Sequence, residues 1–93
     1  NIYPSEVEAV LLQHPDCIEA AVVALPDSTL GEVPGAVLRL NANAQADDDA
    51  FSAWCESHMA GYKIPAVWRY TDVPLPRNAV NKLLKTVIRE QFF

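Results

Sequence analysis

The sequence has few of the side chains that build metal centres or disulfide frameworks. It contains two cysteines, Cys17 and Cys55, and two histidines, His14 and His58, and none of them has a closely spaced ligand partner. Metal sites need several such ligands at short spacing, so we expect none here. The favoured interpretation of the cysteines is two reduced core thiols in a cytosolic protein, with a disulfide as the less favoured alternative.

The chain also lacks a long apolar run and a surplus of positive charge. No stretch approaches the roughly 20 apolar residues that cross a bilayer, and no charged-then-apolar leader marks secretion. We therefore expect a cytoplasmic protein without a transmembrane segment. The chain has seven scattered basic residues and twelve acidic ones, which gives a net charge of −5. That balance argues against a nucleic-acid partner.

Length and composition fit one small globular domain. The 93 residues are 51% hydrophobic and 20% charged. A chain of this size can bury one modest core, but it has no room for an interior active-site cavity. No internal repeat, linker or low-complexity segment interrupts it.

The first predicted elements are a helix and a strand. The helix covers residues 4–13, with Ser5 and Glu8 as a capping box at its start and a buried stripe. It stops before Pro15, because a residue that precedes proline avoids the helical region. The almost continuous apolar run over 18–25 is typical of a strand that is covered on both faces. The buried stripe of the helix consists of Val7, Val10 and Leu11.

A second strand over 36–40 and a second helix follow. Gly31 is the expected tight-turn residue before the strand, and the short connection favours antiparallel pairing. The acidic run over 47–49 is expected to cap the helix; a metal cluster is the weaker interpretation, because consecutive helical side chains diverge. Gly61 is expected to end the helix. The apolar face of the helix is predicted to hold Phe51, Trp54, Cys55, His58 and Met59.

A turn over 62–65, a third strand and a last helix complete the predicted chain. Trp68 and Tyr70 share one face of that strand, which ends at Asp72. The element order helix, strand, strand, helix, strand, helix predicts an α+β domain. About three helices pack in it on a small, mostly antiparallel three-stranded sheet.

The stretch from Pro74 to Lys85 holds the candidate functional residue. Prolines stiffen its first part, and apolar residues at helical spacing predict a helix in its second part. Lys82 lies at the turn between them. From spacing alone, the more frequent interpretation is a solvated surface lysine. The apolar positions are Leu83, Leu84, Val87 and Ile88.

Six short motifs instead favour a functional interpretation of Lys82, because they occur along the whole chain in the order typical of one enzyme family. They are Asn1 to Glu8, His14-Pro15, Glu19 to Asp27, Gly31 to Pro34, Tyr62 to Pro65, and Leu75 to Asn78 with the lysine that follows. Together they resemble the adenylate-forming enzymes: acyl-CoA synthetases, aryl-CoA ligases, luciferases and peptide-synthetase adenylation domains. They resemble fatty-acyl-CoA and aryl-CoA ligases more than peptide synthetases, and the long-chain fatty-acyl branch is the first expectation.

The resemblance implies that residues 1–93 are the small C-terminal domain of such an enzyme. This domain would be a mobile lid over the large N-terminal domain of the same chain, which carries the ATP and acid pockets. ATP and coenzyme A would be the cofactors, and a carboxylic acid, first of all a fatty acid, the substrate. Mg²⁺ is expected in the full-length enzyme, with none bound by this domain. Since the chain begins inside the expected hinge motif, we expect a fragment that is inactive alone.

The resemblance assigns Lys82 a catalytic role in forming the acyl-adenylate. The family usually has glycine before this lysine, whereas this chain has Asn81, one of the few other residues that tolerate the left-handed region. Lys85, one helical turn later, is a weaker candidate for the same charge. Lys63 is a candidate on the coenzyme A side, although a structural turn is an equally good interpretation.

Two other functions stay open at this point. One is a non-catalytic interaction domain derived from such a lid. The other is an adenylate-forming enzyme with a different acceptor, such as an aryl-CoA ligase, a luciferase-like enzyme or a carrier-protein loading domain.

Overall fold

The described residues form three α-helices, one three-stranded sheet and a short 3₁₀ helix. The computed structural model describes residues 3–93, except for the side chain of Tyr62, so the predicted extended entry at residues 1 and 2 lies outside them. The predicted α+β class and element order are confirmed. The elements are α1 (Pro4–Leu12), β1 (Cys17–Asp27), β2 (Gly31–Leu40), α2 (Asp48–Glu56), the 3₁₀ helix (Gly61–Lys63), β3 (Val67–Thr71) and α3 (Lys85–Phe92).

The sheet is mixed, in the order β1-β2-β3. The longer pairing, β1 with β2, is antiparallel as predicted and extends to Asp27 opposite Gly31. The shorter pairing, β2 with β3, is parallel, and α2 lies in its crossover connection. Both strands extend further than the predicted 18–25 and 36–40, so the hairpin turn between them is short. The Asp27 carboxylate accepts from the N–H groups of Thr29 and Leu30, and Gly31 has a φ of 82°.

Both faces of the sheet are covered, which makes three layers. Alternate residues of β1 point to opposite faces, so Ala20 and Val22 join one apolar cluster while Ala21 and Val23 join another. The first cluster includes residues of α1 and α2, and the second includes Leu75 and residues of α3. The prediction of a strand buried on both faces is therefore confirmed for β1.

Several predicted helix ends are wrong, each for a local reason. Tyr3, not Ser5, occupies the N-cap position of α1, and no side chain caps that end. Asp47 caps α2 as predicted, but α2 ends at Glu56, so His58 lies outside it and is exposed. Gly61 begins the 3₁₀ helix instead of ending α2.

The last helix begins later than predicted, at Lys85. Leu83 pairs with Arg77 in an isolated antiparallel bridge, and the Leu84 N–H donates to the Pro76 carbonyl at 3.0 Å. These two leucines are thus bonded to the preceding loop and do not extend the helical stripe.

Cys17 and Cys55 are free and buried, as predicted. Burial raises the pKa of each thiol to about 11, and for Cys17 the nearby Glu19 charge adds to the effect. No helix among residues 3–93 is long and apolar enough to cross a membrane.

Two charged side chains cap the open edge of β1, at Val22. The Glu8 carboxylate accepts from the Val22 N–H at 2.8 Å, and the Lys85 ammonium donates to the Val22 carbonyl at 2.7 Å. Glu8 and Lys85 also form an ion pair at 2.6 Å. The cluster satisfies backbone groups that an edge strand would otherwise present to another chain, and it joins α1 and α3 to β1.

We predict that Glu8→Ala destabilises the domain by about 1–3 kcal/mol, because the Val22 N–H then loses its acceptor and Lys85 loses its counter-ion. Glu6→Ala is the matched control. Glu6 also lies on α1 and pairs with a lysine, but its side chain is 49% exposed. An exposed pair contributes about 0–1 kcal/mol. Denaturant unfolding measures both variants, and equal losses would contradict this account of the edge.

Candidate active-site loop

The candidate lysine lies on a short loop whose two arms are bonded to each other. Arg77 and Leu83 form the bridge at the base of the loop. One step further in, the Asn78 N–H donates to the Lys82 carbonyl at 2.9 Å. The loop is therefore a closed turn across residues 78–82.

Asn78 holds the turn from inside. Its side-chain oxygen accepts from the N–H groups of Val80 and Lys82, both at 3.0 Å. Its carbonyl accepts from the Asn81 N–H at 2.9 Å. The backbone of Lys82 is thus bound to Asn78 through both its N–H and its carbonyl.

Asn81, directly before Lys82, adopts the left-handed conformation that glycine reaches most easily. Its φ is 66°, and it is the sole residue other than glycine with positive φ in the described part of the chain. Asparagine tolerates this region better than most residues. The turn therefore forms with asparagine at this position.

Lys82 is exposed. Across residues 3–93, no carboxylate forms a salt bridge with its ammonium. The loop fixes the backbone of the lysine and leaves its charge available to a partner.

Glu19, on β1, attaches this loop to the sheet. Its carboxylate accepts four hydrogen bonds. One oxygen accepts from Arg39 at 3.0 Å and from the Leu75 N–H at 3.1 Å. The other oxygen accepts from two nitrogens of Arg77, at 3.0 and 3.2 Å. The side chain is only 12% exposed, so these donors replace most of its hydration.

The ionised form of Glu19 is favoured. Burial by itself would raise the pKa of the carboxyl group, but the Leu75 N–H and the side chains of Arg39 and Arg77 outweigh it and lower the pKa below its ordinary value. Glu19 therefore stays charged wherever the domain is folded at neutral pH.

Arg77 completes the connection from the sheet to the lysine. While two of its nitrogens bind Glu19, the third donates to the Asn81 carbonyl at 3.0 Å. Asn81 directly precedes Lys82. Glu19, Arg77 and the Asn81 carbonyl thus form one continuous path, which we call the Glu19 network.

The structure places the other candidate residues elsewhere. The Lys63 ammonium lies 2.7 Å from Glu6 and joins the 3₁₀ helix to α1, so its role toward coenzyme A stays a prediction. Lys85 binds Glu8 and Val22 at the edge of β1, in a cluster that is separate from the loop. No group of three potential metal ligands lies close together among the described residues.

The family of AMP-binding enzyme C-terminal domains matches residues 6–82. The chain belongs to this family. The resemblance found in the motifs is thereby confirmed, and the loop just described falls at the end of the match.

Individual relatives of this AMP-binding enzyme C-terminal domain are acyl-CoA ligases. The chain is 47% identical over 89 residues to 2-succinylbenzoate–CoA ligase of Geobacillus kaustophilus, covering 96% of the chain and 18% of that protein. It is 36% identical over 92 residues to long-chain-fatty-acid–CoA ligase FadD13 of Mycobacterium tuberculosis, covering 99% and 18%. The chain spans less than a fifth of the length of these relatives.

A solved structure gives the same result. The o-succinylbenzoate CoA synthetase from Bacillus subtilis, in complex with its acyl-adenylate intermediate, matches with a TM-score of 0.86 and 45% identity. The match covers 96% of this chain and 18% of that one. The fold of the domain is therefore that of a known acyl-CoA ligase segment.

Sequence reasoning gave no role to the residues that hold the loop. Glu19 is a charged residue near the start of an otherwise apolar strand that is covered on both faces. Such a charge needs a buried partner, and Arg77 stands immediately before the turn with Lys82. That signal indicates a pair but does not identify Arg77 over the other arginines.

We predict that Glu19→Gln destabilises the domain by about 1–3 kcal/mol at pH 7, since the arginines lose a charged acceptor. Because the folded-state pKa of Glu19 is lowered, its contribution is complete above the ordinary pKa of 4.5 and is lost as the pH falls through the folded value. The difference in the free energy of unfolding between wild type and Glu19→Gln should therefore decrease as the pH falls below these two pKa values. Urea unfolding between pH 3 and 7 measures it, and a gap that does not change with pH would contradict the assignment.

Proposed function

We propose that this domain is the lid of an ATP-dependent acid–CoA ligase and that Lys82 supplies the positive charge for adenylate formation. The observation that carries the proposal is a lysine with a fixed backbone and an exposed ammonium on the terminal loop of the family match. Its partner would be the large N-terminal domain of the same chain.

The first half-reaction explains why such a lysine is needed. A carboxylate oxygen attacks the α-phosphorus of ATP, the new P–O bond forms, and the bond to pyrophosphate breaks. Both reactants are anions and repel each other. A preorganised cation between them stabilises the charge that develops in the transition state. An ammonium suits this task, since its three N–H donors can reach carboxylate and phosphate oxygens together.

The loop is suited to deliver that charge from outside a pocket. Asn78 closes the turn from inside, and Arg77 at its base binds Glu19 of the sheet. When this domain closes over the large domain, the ammonium would enter the active site. Only the side chain of Lys82 would then lose conformational freedom. A preorganised group loses less entropy in the reaction than a flexible one.

The second half-reaction needs the lysine withdrawn. The thiol sulfur of coenzyme A attacks the acyl carbon, AMP leaves, and the thiol proton is released. We propose that the domain turns for this step and offers another face to the coenzyme, a motion of the kind that gates many enzymes. Lys63 stays the candidate on that face.

ATP and coenzyme A are the cofactors of the proposed reaction. The residues present here do not fit Mg²⁺, because the described part of the domain has no cluster of acidic side chains at ligand spacing. Any Mg²⁺ of the full-length enzyme would bind to the large domain and the phosphates of ATP.

The acid is a carboxylic acid of one of two classes. The motifs alone favour a fatty acid, whereas the higher identity to a 2-succinylbenzoate–CoA ligase favours an aromatic acid. We propose the aromatic class first. An acid panel tested on the full-length protein distinguishes the two, with thioester formation as the readout.

We predict that Lys82→Ala in the full-length protein lowers the rate of acyl-adenylate formation by about 100-fold or more, the scale expected for losing a preorganised charge donor. Thioester formation from supplied acyl-adenylate should stay close to the wild-type rate. Pyrophosphate release measures the first step and thioester release the second.

Val80→Ala is the control for this experiment. Val80 lies on the same loop and is 82% exposed, but it carries no charge. Its truncation should leave adenylate formation near the wild-type rate. Equal loss of both half-reactions in Lys82→Ala, or loss of neither, would refute the role of the lysine.

A further inference from the structure

The loop that carries Lys82 is held by contacts that reach the sheet. Asn78 closes the turn internally, but a closed turn can still rock about its base, where Arg77 bridges Leu83. Leu83 packs against the apolar cluster on the sheet, and the far arm of the turn has a further, polar link through the hydrogen bond from Arg77 to the Asn81 carbonyl. This hydrogen bond fixes the peptide unit that leads directly into Lys82.

Arg77 can make that contact because Glu19 holds its guanidinium. Two nitrogens of Arg77 bind one oxygen of Glu19, which sets the plane and direction of the group. Charge-assisted hydrogen bonds of this kind are stronger and more directional than neutral ones. The remaining nitrogen then points at the Asn81 carbonyl.

Glu19 is itself fixed by the sheet. It lies opposite Arg39 in the β1–β2 register, and its second oxygen binds Arg39 and the Leu75 N–H. Its carboxylate therefore contacts β2 on one side and the loop on the other. A side chain held from two sides has little freedom to follow a rocking loop.

We propose that Glu19 is a positioning residue for adenylate formation, acting through Arg77 and the Asn81 carbonyl to aim the Lys82 ammonium. This inference rests on the proposed function of Lys82. Glu19 touches no substrate in this account. Its effect is on where the ammonium lies when the domain closes.

The rates of the two half-reactions distinguish a positioning role of Glu19 from a purely structural role. Loss of domain stability lowers both steps together, whereas misplacement of Lys82 slows only the step that uses it. In the full-length protein, Glu19→Gln and Arg77→Met should each lower the turnover rate of adenylate formation by about 10- to 100-fold, the cost of roughly 1 Å of misplacement. KM for ATP and thioester formation from supplied acyl-adenylate should change little.

Arg69→Met is the matched control. Arg69 on β3 also donates to a backbone carbonyl, that of Phe92, at 2.9 Å, but among the described residues it forms no hydrogen bond or ion pair with Glu19 or the loop. Its removal should leave the ratio of the two half-reaction rates unchanged. The double variant Glu19→Gln/Arg77→Met should be no slower in adenylate formation than the worse single variant, because both act through one path.

Lys82→Ala, measured alongside, separates this inference from the proposed function. If Lys82→Ala slows adenylate formation but Glu19→Gln and Arg77→Met do not, the positioning role is wrong and the lysine role stands. If Lys82→Ala has no selective effect, the proposed function itself fails. Equal slowing of both half-reactions in the Glu19 and Arg77 variants would assign the Glu19 network to stability alone and overturn the proposal.

Discussion

A single carboxylate, that of Glu19, joins the sheet to the loop that carries the candidate lysine. A largely buried charge is tolerated only when it is paired and hydrogen-bonded, and Glu19 meets both conditions through Arg39, Arg77 and the Leu75 N–H. The groups that satisfy this charge therefore also link the loop to β1 and β2. In our proposal, these contacts both stabilise the domain and position Lys82.

The domain uses its two neighbouring lysines in opposite ways. Lys85 is bound by Glu8 and the Val22 carbonyl, and it closes an exposed strand edge. Lys82, three residues earlier, is exposed and has its backbone bound to Asn78. The difference follows from the start of α3: Lys85 is its first residue and lies over β1, whereas Lys82 is on the turn. One cation supports the fold, and the other is left available for chemistry.

Local patterns predicted the architecture better than the boundaries. The apolar run around Val22 and the acidic run before α2 gave the buried strand and the cap correctly, because short-range sequence decides both. The predicted start of the last helix failed, since Leu83 and Leu84 have helical spacing but bond to Arg77 and Pro76. The Glu19 network could not be predicted in full, because it joins residues 58 positions apart in the chain.

The most direct test is a structure of the full-length protein bound to ATP and an unreactive alcohol analogue of its acid. The account predicts the Lys82 ammonium at hydrogen-bond distance, about 3 Å, from an oxygen of the α-phosphate. It also predicts that the contacts from Glu19 to Arg77 and from Arg77 to the Asn81 carbonyl are retained in that closed state. A closed complex with the ammonium directed away from the α-phosphate, or with the loop released from Arg77, would contradict it.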